Sequence, residues 1–194
     1  MSERGTNWDV GFSLEERGLG IMDRVFLEFA YFQSHTENLI VFVQNSQSTA
    51  RAENIGAASI KGYEVSWSAS AWQHLRLYGN YTFQDAKDTS DTFSRGNTLP
   101  GRPGHEVHQG LELFNEYGGF VYELDYIAAN FLDRANAFVV NHRLLHNLGL
   151  TVLPLGQRFK FTFEVKNLTN NQIADFRGFP LPGRSYFGTV EARF

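Results

Sequence analysis

Side chains along most of this chain alternate between apolar and polar, the pattern of a β-strand with one apolar and one polar face. The last ten residues are an example, with Thr189, Glu191 and Arg193 on the polar face. Their apolar face consists of Tyr186, Val190, Ala192 and Phe194. The apolar pattern runs to the last residue, whereas the termini of soluble domains usually fray. This favours a strand that spans a bilayer.

The same alternation predicts nine strands and no helix. The predicted strands lie near residues 8–14, 24–44, 65–69, 75–83, 111–113, 120–126, 144–152, 159–165 and 185–194. One of them sets Phe159, Phe161 and Phe163 against a row of charge. That contrast is expected when one face meets lipid and the other a wet lumen. The fold class is therefore all-β, with antiparallel transmembrane β-barrel strands.

Connections between the predicted strands alternate between short and long. The short ones are 18–23, 72–73, 117–119 and 154–156, and the long ones are 45–56, 87–104, 130–141 and 168–184. Outer-membrane barrels have short periplasmic turns and longer extracellular loops, whereas the crossovers of a sandwich would not be sorted in this way. Antiparallel closure requires an even number of strands. Nine strands therefore indicate either a miscount or a chain that is not the whole barrel.

Composition restricts the alternatives. The longest apolar run, Leu39–Val43, is far shorter than the roughly 20 residues of a membrane helix. The net charge of −4 gives no reason to expect nucleic acid, and the absence of cysteine excludes disulfides and thiolate metal sites. The polar start, Met1–Gly5, does not read as a signal peptide.

Five short motifs resemble segments of the TonB-dependent outer-membrane receptor family, in the order found in that family. They are N-x-G-x-A-x-x-x-G-x-E at 54–64, a strand motif at 77–86, L-P-x-R-P-x-H at 99–105, V-x-N-L-x-N at 165–170 and the C-terminal signature at 182–194. The motifs cover most of residues 54–194, and residues 7–44 fit the preceding strands more loosely.

The resemblance implies a 22-stranded barrel with an N-terminal plug, in the bacterial outer membrane. Such receptors use the TonB complex to import a small-molecule nutrient such as siderophore-iron, haem, cobalamin or a glycan. We therefore expect residues 1–194 to be the C-terminal segment of the barrel, without plug, TonB box or the first thirteen or so strands. A segment of this kind is not an enzyme, has no cofactor and does not transport by itself.

The resemblance also implies partners. The barrel contacts outer-membrane lipid, and the TonB complex acts only on the full-length receptor. The last strand implies recognition by the barrel-assembly machinery, with Tyr186, Val190, Ala192 and Phe194 as the signal; the alternative for Phe194 is a plain lipid-facing aromatic.

Candidate ligand contacts lie in the predicted extracellular loops, where aromatic and arginine side chains suit an anionic or aromatic chelate. They are Phe93, Arg95, Asn97, Phe131, Arg134, Phe176, Arg177 and Phe179. Loops of any such barrel also carry these residue types.

Other polar groups are weaker candidates. His142 and His146 share one face of a strand, where the role of aromatic-belt or rim residues is favoured over a metal pair. The cluster of Asp85, Asp88 and Asp91 lacks the glycine and glutamate of a calcium loop, which favours a solvated loop. His105 and His108 lie on opposite faces and make poor co-ligands.

Two other interpretations remain open from the sequence. One is a small complete outer-membrane barrel, either a ten-stranded enzyme or a porin-like protein, although no catalytic constellation is evident. The other is a soluble β-sandwich binding module, which the sorted connections disfavour.

Overall fold

The computed structural model describes residues 3–44, 50–154, 158–172, 174–176 and 179–193, and it is all-β over these residues. The strands, in chain order, are β1 Arg4–Leu19, β2 Met22–Gln44, β3 Ala50–Ala71, β4 Leu75–Asp88, β5 His105–Asn115, β6 Gly118–Ile127, β7 Asn130–Phe131, β8 Val139–Val140, β9 Arg143–Val152, β10 Phe159–Lys166, β11 Ala174–Phe176, β12 Phe179–Pro180 and β13 Ser185–Ala192. The part of the chain so described contains no helix long and apolar enough to cross a membrane.

Nine of these strands form one antiparallel sheet, in the order β1-β2-β3-β4-β5-β6-β9-β10-β13. Each strand pairs with the next one along the chain, apart from two small hairpins, β7–β8 and β11–β12, which lie within connections. The nine predicted strands are therefore confirmed. The sheet is open, with β1 at one edge and β13 at the other.

Register places apolar and polar residues in separate rows across the sheet. One row runs through Phe12, Phe29, Val65, Tyr81, Val107, Tyr126 and Leu144. The neighbouring row on the opposite face runs through Ser13, Glu28, Ser66, Asn80, His108, Asp125 and Leu145. A strand repeats every two residues, so one face of the sheet is apolar and the other mainly polar. We name them the belt face and the polar face.

Aromatic rings mark one boundary of the belt face. Tyr63 packs on Phe83 with ring centroids 5.1 Å apart, and Phe83 packs on His105 at the same distance. Beyond this row, the belt face of β4 carries Asp85 and Lys87 instead of apolar side chains. Aromatic girdles flank the apolar band of outer-membrane barrels. The charged residues therefore lie beyond the hydrocarbon, on the rim that carries the long connections.

The opposite rim carries short connections and its own exposed aromatic side chains. Trp72 and Tyr117 are both exposed in the turns after β3 and β5. The predicted sorting of connections is thus present in the fold. The connection between β9 and β10 is also short, and its residues 155–157 lie outside the described part of the chain.

One connection differs from the sequence prediction. Residues 45–56 were expected to form a long loop, but β3 already begins at Ala50. In the sequence prediction the loop ends at Gly56, near the start of the next strand. In the structure Gly56 lies within β3 with φ of 92°, opposite Leu39 at a shift in register. Its left-handed backbone absorbs the irregularity because glycine has no Cβ, so pairing continues past it.

The β2–β3 hairpin projects beyond its neighbours, as predicted for the long second strand. Pairing of β1 with β2 starts at Arg4 and Glu37, and pairing of β3 with β4 ends at Ala58 and Asp88. At about 3.3 Å per residue, β2 is far longer than the roughly 25 Å apolar band. The excess extends from the rim that carries the long connections.

Candidate functional site

The rim with the long connections, here called the outer rim, carries three loops. They are loop A (residues 89–104), loop B (128–142) and loop C (167–184, of which 173 and 177–178 are not described). Loop B contains the β7–β8 hairpin and loop C contains the β11–β12 hairpin. All eight predicted ligand contacts lie in the sequence ranges of these loops.

Loop A first continues the direction of β4 and then folds back on it. The Asp88 N–H donates to the Asn97 carbonyl at 2.9 Å, and the Leu99 N–H donates to the Ala86 carbonyl at 2.9 Å. Leu99 is 1% exposed and packs with Ala58 and Ala86. The small side chains of Ala58 within β3 and Ala86 near the end of β4 leave room for this leucine, which anchors the loop through a small apolar core.

Asp88, at the end of β4, is 3% exposed and is surrounded by donors. Its Oδ1 accepts the Ser90 N–H at 2.9 Å and also the Ser90 hydroxyl. Its Oδ2 accepts the Ser94 hydroxyl at 2.7 Å and Nη2 of Arg134 at 3.4 Å. Buried carboxylates are stable only when they are hydrogen-bonded and paired, and Asp88 is both.

The environment of Asp88 holds its carboxyl in the ionised form. Burial by itself raises the pKa of Asp88, because it removes water from the charge. Hydrogen bonds from Ser90 and Ser94 and the charge of Arg134 act in the opposite direction. They outweigh burial, so the pKa of Asp88 lies below its ordinary value.

Arg134 reaches from loop B into loop A. Besides Asp88, its Nη2 donates to the Thr92 hydroxyl at 3.1 Å and to the Ser94 hydroxyl at 2.9 Å. Its guanidinium lies over the Phe93 ring, 5.5 Å from the centroid, as in a cation–π contact. The Arg134 side chain is 13% exposed, whereas Phe93 is 79% exposed. The arginine therefore supports an aromatic ring that faces solvent.

Backbone contacts extend the junction between loops A and B. Asn97 donates its side-chain amide to the Arg134 carbonyl at 2.7 Å. Asn136 accepts the Thr98 N–H at 2.9 Å and donates to the Thr98 carbonyl at 2.9 Å. The Gly101 N–H donates to the Phe131 carbonyl at 2.8 Å. The two loops are thus joined along several residues.

The predicted ligand contacts fall into two groups. Loops A and B bring Phe93, Arg95, Asn97, Phe131 and Arg134 onto one part of the outer rim. Within this group Arg95 is exposed and pairs with Asp91. The second group is in loop C, where Arg177 and the side chains of Phe176 and Phe179 lie outside the described residues.

The acidic cluster does not converge on a point. Asp85 pairs with Lys87 at 3.8 Å, Asp91 pairs with Arg95, and Asp88 faces Arg134. Across the described residues, no group of three or more histidine, cysteine, aspartate or glutamate side chains could hold a metal. A solvated loop was the favoured interpretation, and it is wrong for Asp88 because loops A and B cover that carboxylate.

Histidines near the loops make contacts with neighbouring strands. His146 shares a 2.7 Å hydrogen bond with the Tyr122 hydroxyl, and the His142 ring lies against Tyr126. These contacts are those of belt residues. His108 lies on the polar face, where its Nδ1 is 2.6 Å from Oδ1 of Asp125. His105 lies on the belt face, so these two histidines point apart as predicted.

A cavity of about 370 Å³ lies between loops B and C. Its apolar lining includes Leu132, Phe138 and Val140, and Gln172 also lines it. This cavity was not predictable from the sequence, because it forms between segments that are far apart in the chain.

The last strand pairs with β10 over its whole length, from Ser185 opposite Lys166 to Ala192 opposite Phe159. Tyr186 and Val190 lie on the belt face and are exposed in this chain. Phe194, the fourth residue of the predicted assembly signal, lies outside the described residues.

Solved structures with the same fold include receptors and a transporter. They include the siderophore receptor PiuA from Acinetobacter baumannii, with TM-score 0.75 and 16% identity over 96% of this chain and 28% of that one. The copper transporter OprC has TM-score 0.76 and 18% identity over 99% of this chain and 31% of that one. The ferric-catecholate import receptor Fiu from K12 E. coli has TM-score 0.75 and 18% identity over 99% and 28%.

This chain therefore spans about three tenths of the length of these structures. No curated protein sequence matches it. The family described as "TonB dependent receptor-like, beta-barrel" matches residues 2–168, which is most of the chain. Together with the nine-stranded sheet, this match places the protein in the bacterial outer membrane. The chain belongs to the TonB-dependent receptor β-barrel family.

Proposed function

We propose that this chain is part of an outer-membrane receptor for the TonB-dependent uptake of a scarce nutrient. The observation that carries the proposal is the family match over residues 2–168. In such a receptor the belt face meets lipid and the polar face lines the lumen. Loops A, B and C then face the outside of the cell, where a ligand arrives.

The chain is proposed to be the C-terminal segment of a larger barrel of about 22 strands, with a plug supplied by other residues. Two observations support this. The chain covers only 28% to 31% of the structures named above. An antiparallel sheet of nine strands also has its first and last strands in the same direction, so β1 and β13 cannot pair in antiparallel fashion.

The polar face has the character of a lumen wall. Asp125 contacts both His108 and Asn147, the latter at 3.3 Å. Closer to the rim with the short connections, Arg76 pairs with Glu112 at 3.5 Å. These side chains form hydrogen bonds and ion pairs with one another across neighbouring strands. These contacts support a structural role for the polar side chains, which keep the lumen wall wet. Such a role fits a receptor barrel and not an enzyme.

Ligand recognition is proposed for loops A, B and C. Phe93 and Arg95 are exposed and lie in one loop, which suits a ligand that carries aromatic or anionic groups. The cavity between loops B and C adds a recess with both polar and apolar lining nearby. Siderophore-iron, haem, cobalamin and glycans are the classes to be tested. Phe131, Asn97, Phe176, Arg177 and Phe179 are further proposed contacts in these loops.

Barrel assembly is proposed to depend on the last strand. Tyr186, Val190, Ala192 and Phe194 would form the apolar signal that the barrel-assembly machinery recognises. Exposure of Tyr186 and Val190 on the belt face supports this assignment.

Uptake measurements test the proposed function. The full-length receptor of which this chain is the proposed C-terminal segment would be expressed in cells that lack their own ferric siderophore receptors, with and without TonB. The probes are ferric catecholate, haem and cobalamin, each labelled in its metal. We expect uptake of one probe that disappears without TonB. A labelled glycan is the fourth probe, for the remaining class of ligand. Uptake that is equal with and without TonB for every probe would contradict TonB dependence.

A further inference from the structure

The buried carboxylate of Asp88 lies where loop A, loop B and strand β3 meet at the outer rim. Asp88 belongs to the end of β4, and it binds Ser90 and Ser94 of loop A and Arg134 of loop B. The third part is β3, which loop A contacts beside Asp88. There the Thr89 N–H donates to the Ala57 carbonyl at 3.0 Å.

Loop A is also closely packed on β3. A Cβ at Gly56 would stand 3.0 Å from Cβ of Ser90, so these two residues leave no room for a larger side chain at position 56. Ser90 in turn contacts Thr92, and Thr92 contacts Ser94, through hydroxyls 3.0 Å and 2.9 Å apart. The hydroxyl groups form a short chain around Asp88. Each of these three hydroxyl groups contacts the Asp88 carboxylate or the Arg134 guanidinium.

The charges at this junction are withdrawn from water. Asp88 is 3% exposed and Arg134 is 13% exposed. Removal of one partner would leave the other as a buried charge without its counter-charge, which is strongly destabilising. The exposed pair formed by Asp91 and Arg95 in the same loop contrasts with it, because water solvates both of its groups.

Loops A and B are distant in sequence, since β5 and β6 lie between them. Pairing of β5 with β6 brings the ends of the two loops together at the outer rim, and the groups that meet at Asp88 and along Thr98 join the loops beyond it. Charge-assisted hydrogen bonds of this kind have defined directions and fix one segment relative to another.

We propose that Asp88 and Arg134 form a hub that makes loop A, loop B and the adjoining part of β3 one rigid unit of the outer rim. The two loops then move together and not as independent flaps. A ligand that contacts Phe93 or Arg95 in loop A acts on loop B at the same time. Only this last consequence rests on the proposed function; the rigid unit is a property of the chain itself.

Distances between spin labels on the two loops test the hub. The sequence has no cysteine, so cysteines introduced at exposed Asp91 and Ala135 can be labelled selectively. The measurement uses the full-length protein inserted in outer membranes. We expect a single narrow distance distribution in this background. Asp88→Asn or Arg134→Gln should widen it at least twofold.

Matched controls separate the hub from a general effect of charge loss. Asp85→Asn removes a more exposed carboxylate from the same strand, and Arg95→Gln removes an exposed guanidinium from loop A. Both should leave the width unchanged. The double variant Asp88→Asn/Arg134→Gln should be no wider than either single variant, because both single changes break the same hub.

Ser94→Ala keeps the test decisive if a charge variant fails to insert. It removes one hydroxyl between Asp88 and Arg134 and should widen the distribution by an intermediate amount. Widths that match the controls in all inserted hub variants would overturn the proposal. That result with uptake intact would leave the proposed function standing. Widened distributions without TonB-dependent uptake would instead support the hub and contradict the proposed function.

Discussion

Single glycines on the polar face allow bulky rings to lie across neighbouring strands. Tyr78 lies over Gly110 of β5, and a Cβ at Gly110 would overlap the Tyr78 ring. The ring is held there by the Arg76 guanidinium, 4.8 Å from its centroid, and by a 3.4 Å hydrogen bond to Glu123. The glycine is therefore required by close approach and not by backbone conformation.

Gly110→Ala should lower the free energy of unfolding by about 1–3 kcal/mol, the usual effect of overpacking. Gly149→Ala is the control, because a Cβ there would meet Val121 at an ordinary 3.6 Å. We expect the control to be neutral or slightly stabilising, since alanine loses less backbone entropy than glycine. Urea unfolding in lipid vesicles measures both. Equal effects of the two substitutions would contradict the assigned role of Tyr78.

Asp88 makes the outer loops sensitive to acid. Its pKa is lowered in the folded protein, so its stabilisation is present at neutral pH. The stabilisation is lost as pH falls below the ordinary aspartate value of about 3.9 and through the lower folded pKa. Arg134 is the charged group that faces Asp88, whereas the exposed Asp91–Arg95 and Asp85–Lys87 pairs lie nearby but outside the buried cluster.

Cleavage of loop A by pepsin at several acidic pH values measures this sensitivity. The wild-type loop should resist cleavage better than that of Asp88→Asn at the upper end of the range, and the difference should disappear as pH falls. Asp91→Asn should behave like the wild type. A difference that stays constant across the range would show that ionisation of Asp88 is not the cause.

At the scale of strands, each element has one face for lipid and one for the lumen. Leu77 of β4 lies on the belt face between Ala69 and Leu111. Asn80, on the same strand, lies on the polar face between Ser66 and His108. The two positions therefore face different environments, lipid and lumen, although they are only three residues apart on the same strand.

Arginine at these positions should have unequal effects. Leu77→Arg should lower the free energy of unfolding by up to about 4 kcal/mol, because the guanidinium enters hydrocarbon. Asn80→Arg should change stability little, since the lumen is wet. Folding equilibria in lipid vesicles measure the difference. A larger loss for Asn80→Arg would reverse the assignment of the two faces.

Strands were predictable because their alternation is local. Every strand of the large sheet was found from period-two patterns, and the exception at the start of β3 came from Gly56, whose bulge resembles a strand boundary. The junction at Asp88 was not predictable in the same way. Its burial depends on Arg134, which the chain brings near only after two further strands have paired.

One sequence signal did point toward that junction. Asp88, Ser90, Thr92 and Ser94 are short polar residues in close succession, a type that forms local hydrogen bonds in bends and turns such as those of residues 90–96. The sequence could not show that a guanidinium would complete the cluster. For the same reason it identified Arg134 as a ligand contact, whereas its side chain contacts Asp88, Thr92 and Ser94.

For the whole molecule, the central claim is that the sheet crosses the outer membrane with its long loops outside the cell. The orientation follows from the two aromatic boundaries and from the sorting of short and long connections. It assigns Asp91 of loop A to the cell surface and Tyr117, between β5 and β6, to the periplasm.

Labelling of intact cells with a membrane-impermeant maleimide tests this claim most directly, because the sequence has no cysteine to interfere. Single cysteines would replace Asp91 or Tyr117, both of which are exposed. We predict that position 91 is labelled in intact cells and that position 117 is labelled only after the outer membrane is permeabilised. Labelling of position 117 in intact cells, with position 91 protected, would contradict the account.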